Sequence, residues 1–516
     1  MGVKSRNKSD YVELKDAGKK TDNKEKQPNG EPNNTSDEDD NPSHYTADNA
    51  VEKIGFGWFQ IKIMAVVGIF SAADACEMLL LAVLSPVLNC EWRLQEWQVA
   101  LITTVVFLGM FSTAPIWGSW CDKYGRWPIM VLVSSWIFFY GILTSMSPTY
   151  WWVLGMRMMV GVGIAGGSFA FTYLTEYIPF KWRSKMLTVH QVFWALGSVL
   201  EILLAYLVVR QWGWRWFVAL SSIPLGVAVI TIYCCIPESV RYLVTAGRKE
   251  EAVSVLKDAA RINGTSIPDG ELIGTKVKTR GTIWDLISPE YRCTSMCLTM
   301  VWFTAAFSYY GMVLTSSEIE KFQSHCAVPP PAVSQGNHTI QKYQCSLNCH
   351  ELADDDYITM IISALGEFIS IPINFVLLDY IGRKYTLAVN CSLAGIGFMS
   401  LQICSSRAVL SGISMVIRSF CTGTFLATYI YTSEVYPTTV RSLGLGINSS
   451  FARIGAMVTP FVAQVLLNSS PHITAFLYGG VCILTAVIAC LLPIETKGRE
   501  MPQTVSMYEI PMPDGR

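Results

Sequence analysis

The chain alternates long apolar runs with short polar loops. Runs of membrane-crossing length lie near 59–84, 97–119, 128–147, 151–174, 188–209 and 215–236, and again near 293–316, 356–378, 385–404, 408–432, 442–467 and 473–493. A helix needs roughly 20 apolar residues to cross a ~30 Å hydrocarbon core, so each run predicts one crossing. The pattern predicts an all-α membrane protein with twelve transmembrane helices in two six-helix halves, 56–236 and 293–493. Between the halves lies a charged central loop, 237–292, and inside the second half a polar loop, 317–355. Residues 1–55 are rich in Lys, Asp, Glu, Asn and Ser and predict a disordered tail; 494–516 form a closing tail.

The two halves repeat each other. Asp122, Gly125 and Arg126 recur as Asp379, Gly382 and Arg383, all 257 residues later. Glu176, Pro179 and Arg183 recur as Glu434, Pro437 and Arg441, and Glu238 as Glu495, with offsets of 257 or 258. A tandem duplication of one membrane-embedded unit is a common way to build alternating access, so the repeat points to transport.

Orientation follows from the basic residues of the short loops. Lys123, Arg126, Lys181, Arg183, Lys185, Arg383, Lys384, Arg441, Lys497 and Arg499 fall on one side, against little beyond Arg93, Arg210 and Arg407 on the other. Both termini and the central loop are therefore expected in the cytosol, and 317–355 on the lumenal or extracellular side. That loop holds the glycosylation pattern Asn337-His338-Thr339 and three cysteines, Cys326, Cys345 and Cys349, which predict a disulfide among themselves in an oxidising compartment. Asn468-Ser469-Ser470 faces the same side, whereas Asn263-Gly264-Thr265 lies in the cytosol and should be silent. Tyr11-Val12-Glu13-Leu14 has the form of a tyrosine-type sorting signal.

Composition narrows the function. Only 15% of residues are charged and 51% are hydrophobic, against about 25% charged in soluble chains. A net charge of −1 argues against a nucleic-acid partner. The fifteen cysteines show no zinc spacing, and most, such as Cys234-Cys235, Cys391 and Cys482, sit in apolar runs as small hydrophobes. No metal or cofactor is expected. No nucleophile–base pair suggests an enzyme, and no cleavable signal peptide is expected, because the first apolar run begins near Phe59.

Charges inside a bilayer are expensive and mark function by default. The first crossing holds Asp74 and Glu77 on one face; the fourth holds Arg157, the fifth Glu201, the eighth Glu367, the tenth Arg418 and the eleventh Arg453. At 1.5 Å per residue, Asp74 and Arg157 come to ~8 and ~9 Å below the same lumenal boundary, so the two are expected to meet. Such a pair makes Asp74 a candidate proton carrier, with Glu77 as a like-charged neighbour or a cation ligand. The alternative is a static ion pair that fixes helix packing. Trp194, on a face similar to that of Glu201, and Tyr309 and Tyr310 supply candidate aromatic walls; His190 reads as a packing residue. Arg453 needs an acid, Glu367 being one choice, or an anionic substrate group.

The duplicated cytosolic residues have a mechanical reading. Asp122 can cap a helix of its own half, and Gly125 permits a tight turn. Arg126, Arg183, Arg383 and Arg441 can pair with Glu176, Glu434, Glu238 and Glu495. Placed between halves, such bonds would hold an inner gate shut.

These residues resemble the major facilitator superfamily. Gly118-x3-Asp122-x2-Gly125-Arg126 is similar to its loop between helices 2 and 3, and Arg157-x3-Gly161-x-Gly163 to the helix 4 arginine motif of sugar porters. Pro237-Glu238-Ser239-Val240-Arg241 and Pro493-Ile494-Glu495-Thr496-Lys497-Gly498 resemble the closing motifs of each half. In proton-coupled sugar porters that arginine faces a helix 1 aspartate, which the resemblance places at Asp74. Ile54-Gly55-Phe56-Gly57, Ala73-Asp74-Ala75-x-Glu77-Met78, Cys90-Glu91-Trp92-Arg93-Leu94, Phe307-Ser308-Tyr309-Tyr310-Gly311 and Tyr429-x-Tyr431-Thr432-x-Glu434-Val435-Tyr436-Pro437 resemble the synaptic vesicle 2-related family, which includes organic ion transporters. That resemblance implies a synaptic or secretory vesicle membrane, or the plasma membrane, and an organic-ion substrate. Nucleotide binding is associated with such relatives, but no phosphate-cradling glycine loop is present here. Trp127-Pro128 stands where a second basic residue is usual, which weakens the first gate.

The expectation is therefore a monomeric secondary transporter of a small organic ion, coupled to protons or another ion, in contact with lipid and with no nucleic acid. The alternative is a vesicular protein of the same fold acting as a receptor or trafficking regulator. That protein would tolerate neutral residues at Asp74, Arg157 and Arg453.

Overall fold

In lipid, a backbone must satisfy its own polar groups, and an apolar run does so as a helix. The computed structural model describes residues 44–273, 283–326, 352–437 and 440–497 and is helical through almost all of the apolar runs. The first half holds α1 (Ala47–Ile54), α2 (Trp58–Trp92), α3 (Glu96–Tyr124), α4 (Arg126–Ser145), α5 (Tyr150–Tyr177), α6 (Phe180–Ser221) and α7 (Ile223–Cys235). The central loop forms α8 (Val240–Thr245), α9 (Lys249–Asn263) and α10 (Ile283–Leu286). The second half holds α11 (Arg292–Thr315), a 3-10 stretch Ser316–Cys326, α12 (Asp354–Tyr380), α13 (Arg383–Ser400) and α14 (Arg407–Val435). It closes with α15 (Arg441–Pro460), a π turn Phe461–Leu466, α16 (Leu467–Ser469) and α17 (Pro471–Cys490).

Among the described residues, ten helices are long and apolar enough to cross a bilayer. The longest, Phe180–Cys235, contains two crossings, because Gly213 at φ +80° breaks α6. The more polar α13, with Arg383, Lys384 and Asn390 in its 18 residues, packs against α14 and α17 as another. The described residues thus hold twelve crossings, six in each half.

The duplication extends from the loops into the packing. Gly109 of α3 faces α5, where a Cβ would stand 2.4 Å from the Met158 carbonyl oxygen; Gly366 of α12 faces Met415 of α14, where it would stand at 2.2 Å. Both residues of the second contact lie 257 positions after those of the first. Likewise Gly197 of α6 meets the Ala72 carbonyl of α2, and Gly455 of α15 meets that of Phe303 in α11. No side chain fits at such distances, and small residues are what let membrane helices approach this closely. The halves then meet along α3 with α15 and α6 with α12.

Two expectations change. Residues 44–54, placed in a disordered tail, are ordered. The strand β1 (His44–Tyr45) pairs in parallel with β2 (Glu271–Leu272), and α1 buries Ala50, Val51 and Ile54. Those three residues share one helical face, a pattern that average composition hides. Asn263 accepts from the Phe59 N–H (3.0 Å) and donates to Gln60 (2.8 Å), and Arg241 pairs with Asp48. Residues 240–273 and 44–60 form one cytosolic layer on the first half.

The other change is the disulfide. Cys326 bonds to Cys404, with Cα atoms 5.8 Å apart, and ties the 3-10 stretch to the α13–α14 loop. Cys404 ends an apolar run, so it read as a buried hydrophobe. Cys345, Cys349 and Asn337 lie outside the described residues. Peptide mapping without reductant should recover a 326–404 link, and Cys404→Ser should make Cys326 reactive to a membrane-impermeant maleimide from the non-cytosolic side. A link from Cys326 to Cys345 or Cys349 would reverse the assignment.

Candidate functional site

The expected meeting of Asp74 with Arg157 does not occur. Arg157 Nη1 donates to Glu77 Oε2 at 2.9 Å, and both side chains are fully buried. Ser222, the residue between α6 and α7, donates to the other Glu77 oxygen at 3.2 Å. Asp74 instead lies beside Gly167 of α5, ten residues and so ~15 Å along the helix from Arg157. The depth estimate failed because α2 runs on to Trp92, well past a 20-residue crossing, so Asp74 sits lower than it placed it. Glu201, expected to share a face with Trp194, points instead to the closing helix of its own half, where Ser221 donates to it. It is buried within electrostatic range of Glu77 and Arg157, so two carboxyls stand around one guanidinium.

A second buried network joins the halves. Arg418 binds Glu367 through Nε (2.9 Å) and Nη2 (2.8 Å). Tyr309 donates to the same carboxylate at 2.7 Å, and Ser198 of the first half donates to its other oxygen at 3.1 Å. Trp194 Nε1 donates to the Tyr309 hydroxyl at 2.8 Å, so these two aromatics do come together. Glu367 is therefore satisfied by Arg418 and does not meet Arg453. The close Gly366–Met415 approach seats the eighth crossing on the tenth and decides the partner. Ser198 carried no sequence signal, being one small polar residue in an apolar run.

Asp74 and Arg453 remain. Asp74 Oδ1 and Arg453 Nε are buried without a hydrogen-bond partner, and both residues are half-buried overall. Arg453 Nη1 reaches only Ser449 of its own helix. Tyr310 lies within electrostatic range of both charges, and its ring centroid is 4.7 Å from that of Phe107 in the first half.

Contacts between halves close both ends of this central region, unequally. Toward the lumen, Thr104 donates to the Met457 carbonyl (3.3 Å), Asn468 donates to Glu96 (3.1 Å), and Arg210 pairs with Asp354. Toward the cytosol, Phe171 meets Tyr429 with ring centroids 4.6 Å apart, and Lys185 lies over Phe375.

The cytosolic charge sets do not bridge the halves as expected; each holds its own bundle together. Glu238 accepts from the Arg126 and Trp127 N–H groups (2.9 and 3.2 Å), and Glu495 accepts from those of Arg383 and Lys384 (2.9 and 3.1 Å). A carboxylate thus caps each helix N-terminus, a role expected of Asp122, which lies 3.8 Å from Arg126 instead. Asp379, its counterpart, sits in the last turn of α12. Arg126 pairs with Glu176 (3.3 Å) and Arg383 with Glu434 (3.0 Å). The hydroxyls of Ser239 and Thr496 donate to Glu176 and Glu434 in turn, and Tyr173 and Tyr431 bind the Pro237 and Ile494 carbonyls. Trp127, where a basic residue is usual, donates to the Ile232 carbonyl and so ties α4 to α7.

Arg183 and Arg441 stand apart from these sets. They lie within range of each other across the halves, and burial together with Arg183 and Arg241 pushes the Arg441 guanidinium down to about 10. Burial raises the Glu238 carboxyl, against the pull of the backbone N–H groups and Arg126.

Comparison with known proteins agrees with this fold. Residues 32–318 match the family model for "Sugar (and other) transporter", and 354–507 the model for "Major Facilitator Superfamily". The "Synaptic vesicle 2-related protein" of Xenopus laevis is 42% identical over 89% of this chain and 83% of its own length. That of Rattus norvegicus is also 42% identical, with the same coverage. In fold, the chain is similar to the partially occluded inward-open xylose transporter XylE from E. coli, with a TM-score of 0.65 and 14% identity. That match covers 86% of this chain and all of the other.

Gly125 (φ +107°) and Gly382 (φ +87°) each sit where a Cβ would strike the capping carboxylate, at 2.1 and 2.8 Å. Gly125→Ala and Gly382→Ala should each lower stability by about 1–3 kcal/mol from backbone strain alone, measured by thermal unfolding in detergent. An unchanged Tm for both would show that the caps are dispensable.

Proposed function

The chain belongs to the sugar (and other) transporter family of the major facilitator superfamily and, within it, to the synaptic vesicle 2-related proteins, and from that premise we propose that it carries a small organic ion across a vesicle or plasma membrane by alternating access, coupled to protons and acting as a monomer. It is a multi-pass membrane protein. The observation that carries the reading is the fully buried Glu77–Arg157 pair with Glu201 beside it. A static brace needs one acid for one base. Two carboxyls around one guanidinium leave room for a proton, held by whichever carboxyl Arg157 does not neutralise.

The cycle follows from the contacts. In the state described here, lumenal contacts join the halves, while the cytosolic side is narrowed by the Phe171–Tyr429 rings and carries arginines from both halves. Opening to the lumen requires breaking a few hydrogen bonds and the exposed Arg210–Asp354 pair, which is worth about 0–1 kcal/mol. Rocking needs only a few kcal/mol of bias between two states, which substrate contacts at the centre can supply. As α5 shifts against α2, Arg157 moves relative to Glu77 and Glu201, and the charge balance of the two carboxyls changes with it.

Glu77→Gln should abolish pH-gradient-driven accumulation in proteoliposomes while leaving substrate exchange at equal pH within about threefold, since the neutral side chain mimics the protonated state. Uptake scanned across organic ion classes would identify the solute. Full gradient-driven uptake by Glu77→Gln would remove the proton role, and no uptake of any class by the native chain would leave the receptor or trafficking role in its place.

A further inference from the structure

The charges of the central region balance in an informative way. Glu77 is matched by Arg157 and Glu367 by Arg418, both pairs fully buried. Glu201 accepts from Ser221 and stands beside the Glu77–Arg157 pair, with which it shares a proton in the reading above. What is left is one acid and one base on opposite halves: Asp74 of α2 and Arg453 of α15. Each has a buried polar atom with no partner, each is half-buried, and no ion pair joins them. Tyr310 lies in electrostatic range of both.

Resting on the transporter reading above, we propose that the substrate is a zwitterion, whose cationic group meets Asp74 and whose anionic group meets Arg453. A charge in the bilayer interior persists only if it is matched. A singly charged substrate would satisfy one of these residues and leave the other bare, whereas a zwitterion satisfies both and leaves the site neutral. The guanidinium suits a planar carboxylate, which it can hold through two parallel hydrogen bonds. The cationic end needs only a carboxylate and an aromatic face, which the tilted Tyr310–Phe107 pair offers to an ammonium group. Because the two anchors belong to different halves, bound substrate draws the halves together. A mono-ion held by one half does not.

The experiment uses three matched probe series on the full chain: trimethylammonio carboxylates with one to five methylenes between the charges, alkyl trimethylammonium ions, and tert-butyl carboxylates of the same lengths. Thermal shift reads binding in detergent, and proteoliposome uptake reads transport. One chain length of the first series should raise the Tm and be taken up, and should be preferred over both monoions of equal length by at least about tenfold. Asp74→Asn should lose that preference while still binding the carboxylate series, and Arg453→Gln should lose it while still binding the ammonium series. Retention of one monoion by each variant separates this result from misfolding. Equal or better uptake of a monoion by the native chain overturns the zwitterion and leaves the transporter reading standing. Zwitterion binding without uptake does the reverse, and neither binding nor uptake in any series overturns both.

Discussion

The cost of a bare charge away from water organises this molecule. Where two ionisable groups pair in the membrane interior, the choice of partner sets which helices touch. Glu77 with Arg157 ties the first crossing to the fourth, and Glu367 with Arg418 ties the eighth to the tenth. Truncating Glu367 is expected to cost about 3–5 kcal/mol, because Arg418 is left uncompensated. The pairs are therefore both braces and switches: strong while intact, and sensitive to any motion that parts them.

At the cytosolic face the same constraint is met twice in one form. A glycine at positive φ ends one helix and lets a carboxylate reach the N–H groups that open the next. An arginine, a glutamate, a hydroxyl and a tyrosine then fasten the closing segment of the half to that turn. All these bonds lie within a half. Each bundle is thereby made rigid at the end where it must move as one piece, and at that end the bundles meet through the Phe171–Tyr429 rings and through Lys185 over Phe375.

The crossings, the duplication and most of the charged residues that matter were legible in the sequence, because period, spacing and the rarity of charge in apolar runs are local signals. Partners were not. Asp74 and Glu77 are three residues apart on one helix, and which of them meets Arg157 depends on how far α2 extends beyond the hydrocarbon core. Glu367 had two arginines to choose from, and a glycine contact one residue away settled the matter. Cys404 looked like core because it ends an apolar run, and Ser198 looked like filler. The duplicated cytosolic residues stand out by their recurrence, yet recurrence cannot tell whether a bond lies within a copy or between copies; Arg126–Glu176 and Arg383–Glu434 lie within.

The cytosolic layer carries a consequence for how motion is shared. The β1–β2 ladder, the Asn263 contacts at the start of α2 and the Arg241–Asp48 pair fasten residues 240–273 to the first half. What reads in the sequence as a charged loop between the two halves is therefore, over residues 240–273, ballast on one of them. A probe, antibody or modifying enzyme that engages α9 rides with the first bundle.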